Sequence, residues 1–176
     1  VLKTLDTDKD GISDYIETAV YHTDKNKADT DGDGYKDNIE IQNGYNPLNI
    51  SSESRINRID INLKKQSLAY YEGGKLQETF LISSGKKDWE TPKGYFKVLK
   101  KKLYVDYIAF DYNYPHIKYN LLFYNESKNG LGLFVHSAPW RKKFGVRGSH
   151  GCVNVAQSNM EKLYAWANDD TFIHIF

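Results

Sequence analysis

Twice within its first forty residues the chain spells the same twelve-position pattern. Asp6-Thr7-Asp8-Lys9-Asp10-Gly11-Ile12-Ser13-Asp14-Tyr15-Ile16-Glu17 carries carboxylates at positions 1, 3 and 5, glycine at 6 and glutamate at 12. Asp29-Thr30-Asp31-Gly32-Asp33-Gly34-Tyr35-Lys36-Asp37-Asn38-Ile39-Glu40 repeats it at each of those positions. Alternate carboxylates converge on one point only if the backbone turns tightly, and glycine at position 6 permits the left-handed conformation that the turn requires. The product is a cluster of hard oxygens of the kind calcium takes, six to eight per ion. The expected ligands are Asp6, Asp8, Asp10, the Ile12 carbonyl and Glu17 in the first loop. In the second they are Asp29, Asp31, Asp33, the Tyr35 carbonyl and Glu40. Asp14 and Asp37, at position 9, are expected to act through water or not at all. A solvated acidic tail has no reason to keep glycine and glutamate in register twice.

Charge follows the same division. Residues 1–49 hold five lysines against eleven carboxylates, net −6, and the remainder is net +7, so an acidic head precedes a basic body. A helix is expected after each loop, over Asp14–Tyr21 and Asp37–Gln42. The second should stop at Asn43-Gly44, with Pro47 preventing continuation. Position 8 holds Ser13 and Lys36 where an EF-hand has an apolar residue, and only five residues precede the first loop. The head is therefore EF-hand-like and resembles thrombospondin type-three repeats, on Ala28-Asp29-Thr30-Asp31-Gly32-Asp33-Gly34 and the closing Gly44-Tyr45-Asn46-Pro47. That resemblance implies structural Ca²⁺ and an address outside the cytoplasm. The polar, serine-rich residues 50–56 read as a linker. No apolar run approaches the ~20 residues that span a bilayer. No signal peptide is present, and a segment upstream of Val1, removed by processing, is expected.

The body, residues 57–176, is expected to be mainly β with one late helix, arranged as a β-sandwich. Ile59, Ile61 and Leu63 alternate with polar residues. Leu68–Tyr71 and Leu76–Ile82 flank Gly73-Gly74 as a hairpin. Further strands are expected at Tyr95–Leu99, Tyr104–Phe110, Tyr119–Tyr124, Leu131–His136 and Thr171–Phe176, with Lys100-Lys101-Lys102 a solvated strand end. The helix is placed at Asn159–Ala167, with Ser158 as N-cap and Glu161 completing a capping box. Met160, Leu163, Tyr164 and Ala167 form its apolar stripe.

The only cysteine stands in Ser149-His150-Gly151-Cys152-Val153-Asn154, sixteen positions after His136. A thiol with an ordinary pKa near ~8.5 needs a base or a cation beside it to attack a carbonyl. His136, ending an apolar strand, is the best base. Gly151 allows a tight turn that turns its own N–H and that of Cys152 toward a developing oxyanion. His150 reads first as a brace for that turn. Two rivals remain open: an inert buried cysteine, and a zinc site built from His136, His150 and Cys152.

The body then resembles the L,D-transpeptidase catalytic domain. The residues that carry this are the hairpin from Ile61 through Gln66-Ser67-Leu68 to Phe80-Leu81-Ile82-Ser83-Ser84-Gly85, Thr91-Pro92-Lys93-Gly94-Tyr95-Phe96, His136-Ser137-Ala138-Pro139-Trp140 and Ser149-His150-Gly151-Cys152-Val153-Asn154-Val155. The spacer between His136 and Ser149 is shorter than that family's usual one. The resemblance implies an acyl transfer in which Cys152 forms a thioester with a peptidoglycan stem peptide, and an amine of a second stem takes the acyl group to give a 3-3 crosslink. It implies Cys152, His136, Ser137 (through its carbonyl), His150 and Gly151 as catalytic. Asn154, Trp140 and Ser149 are implied around the substrate. The loop Arg141–Arg147 lies between the two halves of the site, and one of its cations, first Arg147, is expected to hold a stem carboxylate, with a plain solvated loop as the alternative; Tyr119 is expected either to line the donor groove or to belong to the core. The resemblance also implies no catalytic cofactor, covalent inhibition by carbapenem-type β-lactams, no nucleic-acid partner, a monomer, and a bacterial, secreted role in cell-wall organisation and cell shape. Hydrolysis by an L,D-carboxypeptidase or another cysteine peptidase stays open as an alternative. So does a non-catalytic, calcium-stabilised wall-binding module.

Overall fold

The computed structural model describes residues 5–51, 55–125, 132–169 and 171–176. The chain divides into two compact units, Val1–Arg58 with Tyr71–Gln77, and Ile59–Tyr70 with Glu78–Phe176.

The first unit is built from the two loops and their helices. In the first loop, Asp6 accepts the N–H groups of Lys9 and Gly11 at 2.8 and 3.1 Å; in the second, Asp29 accepts those of Gly32 and Gly34 at 2.8 and 2.9 Å. Gly11 and Gly34 sit at φ 100° and 96°, the region the pattern reserves for glycine. Helix α1 (Asp14–Ile16) runs directly into a wider π turn, Glu17–Tyr21, together covering the expected span. Helix α2 (Asp37–Asn43) ends as expected on Gly44, at φ 81°. The position-9 aspartates have a use that the sequence did not show. Asp14 accepts the backbone N–H and the hydroxyl of Thr7, both at 2.8 Å, and Asp37 does the same for Thr30 at 2.8 and 2.6 Å. Each pins the start of its loop to the start of its helix. Of the expected linker, 52–54 lie outside the described residues. Arg55 lies over the Tyr45 ring at 3.5 Å, and Ile56 is buried and donates its N–H to Gly44.

The second unit is mainly β with one late helix, as expected. The strands are β1 (Arg58–Asn62), β2 (Ser67–Glu72), β3 (Lys75–Ser83), β4 (Gly94–Lys97), β5 (Lys100–Ala109), β6 (Tyr112–Tyr124), β7 (Leu133–Ser137), β8 (Val153–Val155) and β9 (Phe172–Ile175). They form one continuous sheet in the order β4-β9-β1-β2-β3-β8-β7-β6-β5, which curls so that both flanks share a core, as the layers of a sandwich would. Ile59, Ile61, Ile173 and Ile175 from one flank cluster with Leu121, Val135, Val153 and Val155 from the other, all at most 1% exposed. The Gly73-Gly74 turn has both residues at positive φ, which matches the right-handed twist of the strands it joins. Leu131, at the start of one expected strand, lies outside the described residues.

Two local expectations change. Helix α3 is Gln157–Trp166, starting earlier than expected, with Ala156 as N-cap and no side-chain cap. Ser158 is thus inside the helix, and Glu161 accepts the Tyr119 hydroxyl at 2.6 Å instead of closing a capping box. Met160 and Leu163 do face the core at 0% exposure. The lysine run is partly employed: Lys101 Nζ donates to the Ala167 carbonyl beyond the last turn of α3 and lies 4.6 Å from the Tyr164 ring centroid.

The strand order brings Gly85, just after β3, alongside Ser149 in a parallel bridge. A Cβ at Gly85 would stand 1.9 Å from the Trp89 carbonyl oxygen and 2.6 Å from the Thr91 nitrogen, both rigid backbone atoms. Gly85→Ala is expected to lower unfolding free energy by about 3 kcal/mol or more, read as the shift in a urea or thermal transition of the second unit.

Candidate active site

Three neighbouring strands carry the site. In register, Asn120 on β6 pairs with His136 on β7, and His136 pairs with Asn154 on β8. Residues opposite one another on adjacent strands point to the same face. The sheet therefore lines up Asn120, His136 and Asn154, at 0, 2 and 3% exposure. Ser83 on β3 extends the row, since it pairs with Asn154.

A carbonyl oxygen only accepts hydrogen bonds. His136 Nδ1 lies 2.7 Å from the Ser137 carbonyl, so Nδ1 carries the proton and Nε2 holds a lone pair. Asn154 Nδ2 lies 2.9 Å from that Nε2 and must donate to it. The Ser137 hydroxyl donates to the Lys118 carbonyl at 2.6 Å, tying the end of β7 to β6. The ring of Tyr107 stacks on the imidazole, centroids 4.3 Å apart and planes 23° apart, and its hydroxyl donates to Asn120 Oδ1 at 2.9 Å. A register shift in β5–β6 pairing between Val105 and Tyr107 accompanies that placement, and bulges of this kind re-aim side chains.

Cys152 precedes β8 on the turn that Gly151 makes at φ 111°. A Cβ there would meet the Leu133 side chain at 2.9 Å, so the position is both conformationally and sterically reserved for glycine. The Gly151 N–H donates to Ser149 Oγ at 3.2 Å, which engages one of the two groups assigned to an oxyanion. Ser149 Oγ also donates to the Cys152 carbonyl. The Gly151 carbonyl accepts from Thr91 Oγ1 at 2.8 Å, and the Gly85 N–H reaches the same hydroxyl at 2.9 Å. Ser84 accepts the N–H groups of Gly148 and Ser149, and Gln66 bonds to Ser84 in both directions at 2.7 and 2.9 Å. The Cys152 turn is thus laced to the β2–β3 region through buried polar groups.

His150 faces side chains from outside its own turn. Its Nε2 lies 3.1 Å from Asp111 Oδ2 and 2.9 Å from Lys86 Nζ, and its ring meets those of Trp89 and Tyr112 at about 5 Å. His136 and His150 therefore face different partners. The zinc alternative loses its ligand set: among the described residues, only Asp6-Asp8-Asp10 and Asp29-Asp31-Asp33 gather three ligand atoms within 4.8 Å of one another.

A cavity of about 210 Å³ opens over Cys152, His136 and Asn154. Tyr107, Asp111, Tyr112, Tyr114, Trp140, Arg141, Ser149 and His150 are among its lining residues, and Trp140 stacks face to face on Tyr114 at 3.9 Å. Two expected substrate contacts fall elsewhere. Tyr119, at φ 62°, packs against Tyr164 on α3. Arg147 is exposed and does not line the cavity; the arginine that does is Arg141. The sequence reading also missed Tyr107, Asn120, Tyr112 and Tyr114. The tyrosine-rich alternation of β5 and β6 was the available signal, but which face of those strands meets the cavity depends on the bulge.

Burial pushes the Cys152 thiol up to about 11 and holds His136 down to about 4, the latter assisted by the Arg141 charge and opposed by the Ser137 carbonyl. Near neutral pH both groups are uncharged, a protonated thiol and a neutral imidazole lining one cavity.

In the first unit, one oxygen of Asp8, Asp10, Asp31, Glu17 and Glu40 is buried without a hydrogen-bond partner. Burial, then the charges of Asp8 and Asp10, raise Glu17 to about 7; burial, then Asp31 and Asp33, do the same for Glu40. Such crowded, unsatisfied carboxylates are compatible with calcium as the missing partner.

The family of L,D-transpeptidase catalytic domains matches residues 56–175, and the bacterial TSP3 repeat matches 6–28 and 29–50. No curated protein matches the chain. Among solved structures, an Enterococcus faecium L,D-transpeptidase, a cysteine-to-serine mutant, is 26% identical with a TM-score of 0.61, over 69% of this chain and 50% of that one. The catalytic domain of E. faecium L,D-transpeptidase acylated by ertapenem is 27% identical with a TM-score of 0.58, over 69% of this chain and 97% of that one. An L,D-transpeptidase from Mycobacterium tuberculosis shares the fold at 20% identity and a TM-score of 0.62, over 70% of this chain and 58% of that one. The chain thus spans about half of the longer proteins it matches.

With the thiol at about 11 and the imidazole at about 4, alkylation of Cys152 by iodoacetamide should be slow at pH 7 and accelerate steadily beyond pH 9. A rate already on its plateau at pH 7 would show a resting thiolate instead. Because the depressed His136 stays deprotonated down to about pH 4, the acid limb of kcat/KM should fall near pH 4 rather than near the ordinary 6.5.

Proposed function

Because residues 56–175 make this chain a member of the L,D-transpeptidase catalytic domain family, we propose that it forms 3-3 crosslinks between peptidoglycan stems outside the cytoplasm. The observation that carries the reading is the imidazole of His136, its proton held on Nδ1 by the Ser137 carbonyl and its Nε2, which Asn154 holds at rest, lining with Cys152 one cavity.

Cys152 is the nucleophile and His136 the base. As sulfur bonds to the carbonyl carbon between the third stem residue and D-Ala, the thiol proton passes to Nε2. A resting neutral pair makes proton transfer and attack one event rather than the discharge of a stored thiolate. Asn154 must release Nε2 when the proton arrives; turning its amide so that Oδ1 faces the new N–H satisfies both. The C–N bond then breaks, imidazolium protonates the departing D-Ala amine, and a thioester remains. An amine of a second stem attacks the thioester, His136 takes the amine's proton, and collapse returns the thiol. Ser149, Gly151 and His150 hold the turn, and Trp140 on Tyr114 walls the cavity. Water in place of the amine gives the L,D-carboxypeptidase outcome. A relative acylated by ertapenem supports carbapenems as covalent inhibitors of Cys152.

The two N-terminal loops are calcium sites. Asp6, Asp8, Asp10, the Ile12 carbonyl and Glu17 would hold one ion, and Asp29, Asp31, Asp33, the Tyr35 carbonyl and Glu40 the other. Bound calcium supplies the positive charge that their unpartnered oxygens lack, and so stabilises the fold of that unit.

Incubation with a disaccharide-tetrapeptide should give a crosslinked dimer and free D-Ala, and Cys152→Ser should lower turnover by roughly 10³-fold or more. Tripeptide alone would make the protein a carboxypeptidase, and no product would remove the enzymatic reading. Calcium at a hundredfold excess over its Kd should add about 2.7 kcal/mol per site to the stability of the first unit. Melting curves with and without a chelator test this, and coincident curves would rule structural calcium out.

A further inference from the structure

We propose that Arg141 is the specificity residue of this site, binding a carboxylate of the donor stem; the proposal rests on the transpeptidase reading. The expected cation of the loop between His136 and Cys152 was Arg147, but Arg147 stands outside the cavity and Arg141 lines it with Cys152 and His136.

The state of Arg141 is unusual for an arginine. Its side chain is partly buried, and that burial lowers its pKa. Its Nη2 donates to the Gly148 carbonyl at 2.9 Å, and the guanidinium lies so close over Gly148 that a Cβ there would stand 2.9 Å from Nη1. Nε is buried without a partner. No carboxylate pairs with Arg141 among the described residues; the cavity's one carboxylate, Asp111, is held by His150. A guanidinium has five donors and is costly to desolvate unless an anion compensates it. Here the backbone holds the guanidinium through Gly148 and no carboxylate of the described residues neutralises it, which is the arrangement of a preformed carboxylate receptor. The planar fork suits a carboxylate bidentately, which a lysine cannot reproduce.

Arg141 also faces His136 electrostatically and helps keep that imidazole neutral. A bound carboxylate would offset that charge, so donor binding would make Nε2 a better proton acceptor. Substrate recognition and base strength then meet in one residue.

A donor stem offers this carboxylate from two places: the side chain of a third residue such as diaminopimelate, or the terminus of D-Ala. Three donors separate them: the unmodified tetrapeptide, the same peptide with the third-residue carboxylate amidated, and the same peptide ending in D-alaninamide. For the wild type, amidating the correct carboxylate should lower kcat/KM by about 10- to 100-fold, the size of a charged hydrogen bond, mainly through KM. Arg141→Gln should lose the same factor on the unmodified donor and almost nothing more on the donor lacking that carboxylate. Arg141→Lys should recover only part of the loss. Equal losses on all three donors, or a wild type indifferent to both amidations, would overturn the assignment and leave a merely structural arginine. Turnover of no donor by the wild type would instead overturn the transpeptidase reading itself.

Discussion

The hydrogen bond from His136 Nδ1 to the carbonyl of Ser137 is the contact on which the catalytic geometry depends. An oxygen that can only accept decides which nitrogen carries the proton, and so which nitrogen keeps the lone pair. That bond exists because His136 stands near the end of β7, where the strand's next carbonyl is reachable by its own ring. The rest of the sheet then keeps the imidazole from turning: Tyr107 covers one face, Asn154 holds Nε2, and Asn120 holds Tyr107. Each of these residues is buried, so each would be expensive to leave unpaired. The polar row Asn120–His136–Asn154 is therefore a constraint on rotamers as much as a set of functional groups.

Burial sets the electrostatic character of the pair. Desolvation alone moves thiol and imidazole in opposite directions, and both toward neutrality. Cysteine sites fall into those that stabilise a resting ion pair and those that leave ionisation to the moment of attack. A half-buried thiol that stays protonated belongs to the second kind, and its low thiolate fraction near neutral pH slows oxidation and alkylation.

The two units use backbone differently for a similar end. In the acidic loops, glycines at fixed positions let carboxylates converge, and Asp14 and Asp37 clamp the loops by holding Thr7 and Thr30. In the catalytic unit, Gly151 makes the turn that presents Cys152, and Gly85 lets the chain pass within contact of Trp89 and Thr91. Both cases place chemistry on a turn that glycine makes possible, through positive φ in the loops and through φ and close approach in the second unit, and both brace that turn with hydroxyl groups.

The sequence by itself determined the elements governed by local rules: the two loops, the Gly-Gly hairpin, the β-rich body with a late helix, and the Cys152 turn with His136 upstream. Position along the chain is enough for those, because a loop's ligands or a hairpin's turn lie within a dozen residues. Tertiary structure decided the rest. The helix starts at Gln157 without a side-chain cap, and Glu161 bonds Tyr119, a partner 42 residues away, in place of a local cap. Tyr107 and Asn120 entered the site through strand register and a bulge, neither of which is written in periodicity. Arg141 lines the cavity and Arg147 does not, because only the folded path of the loop says which guanidinium faces it. Register and loop path are set by the summed packing of distant strands, so no local pattern in the sequence could carry them.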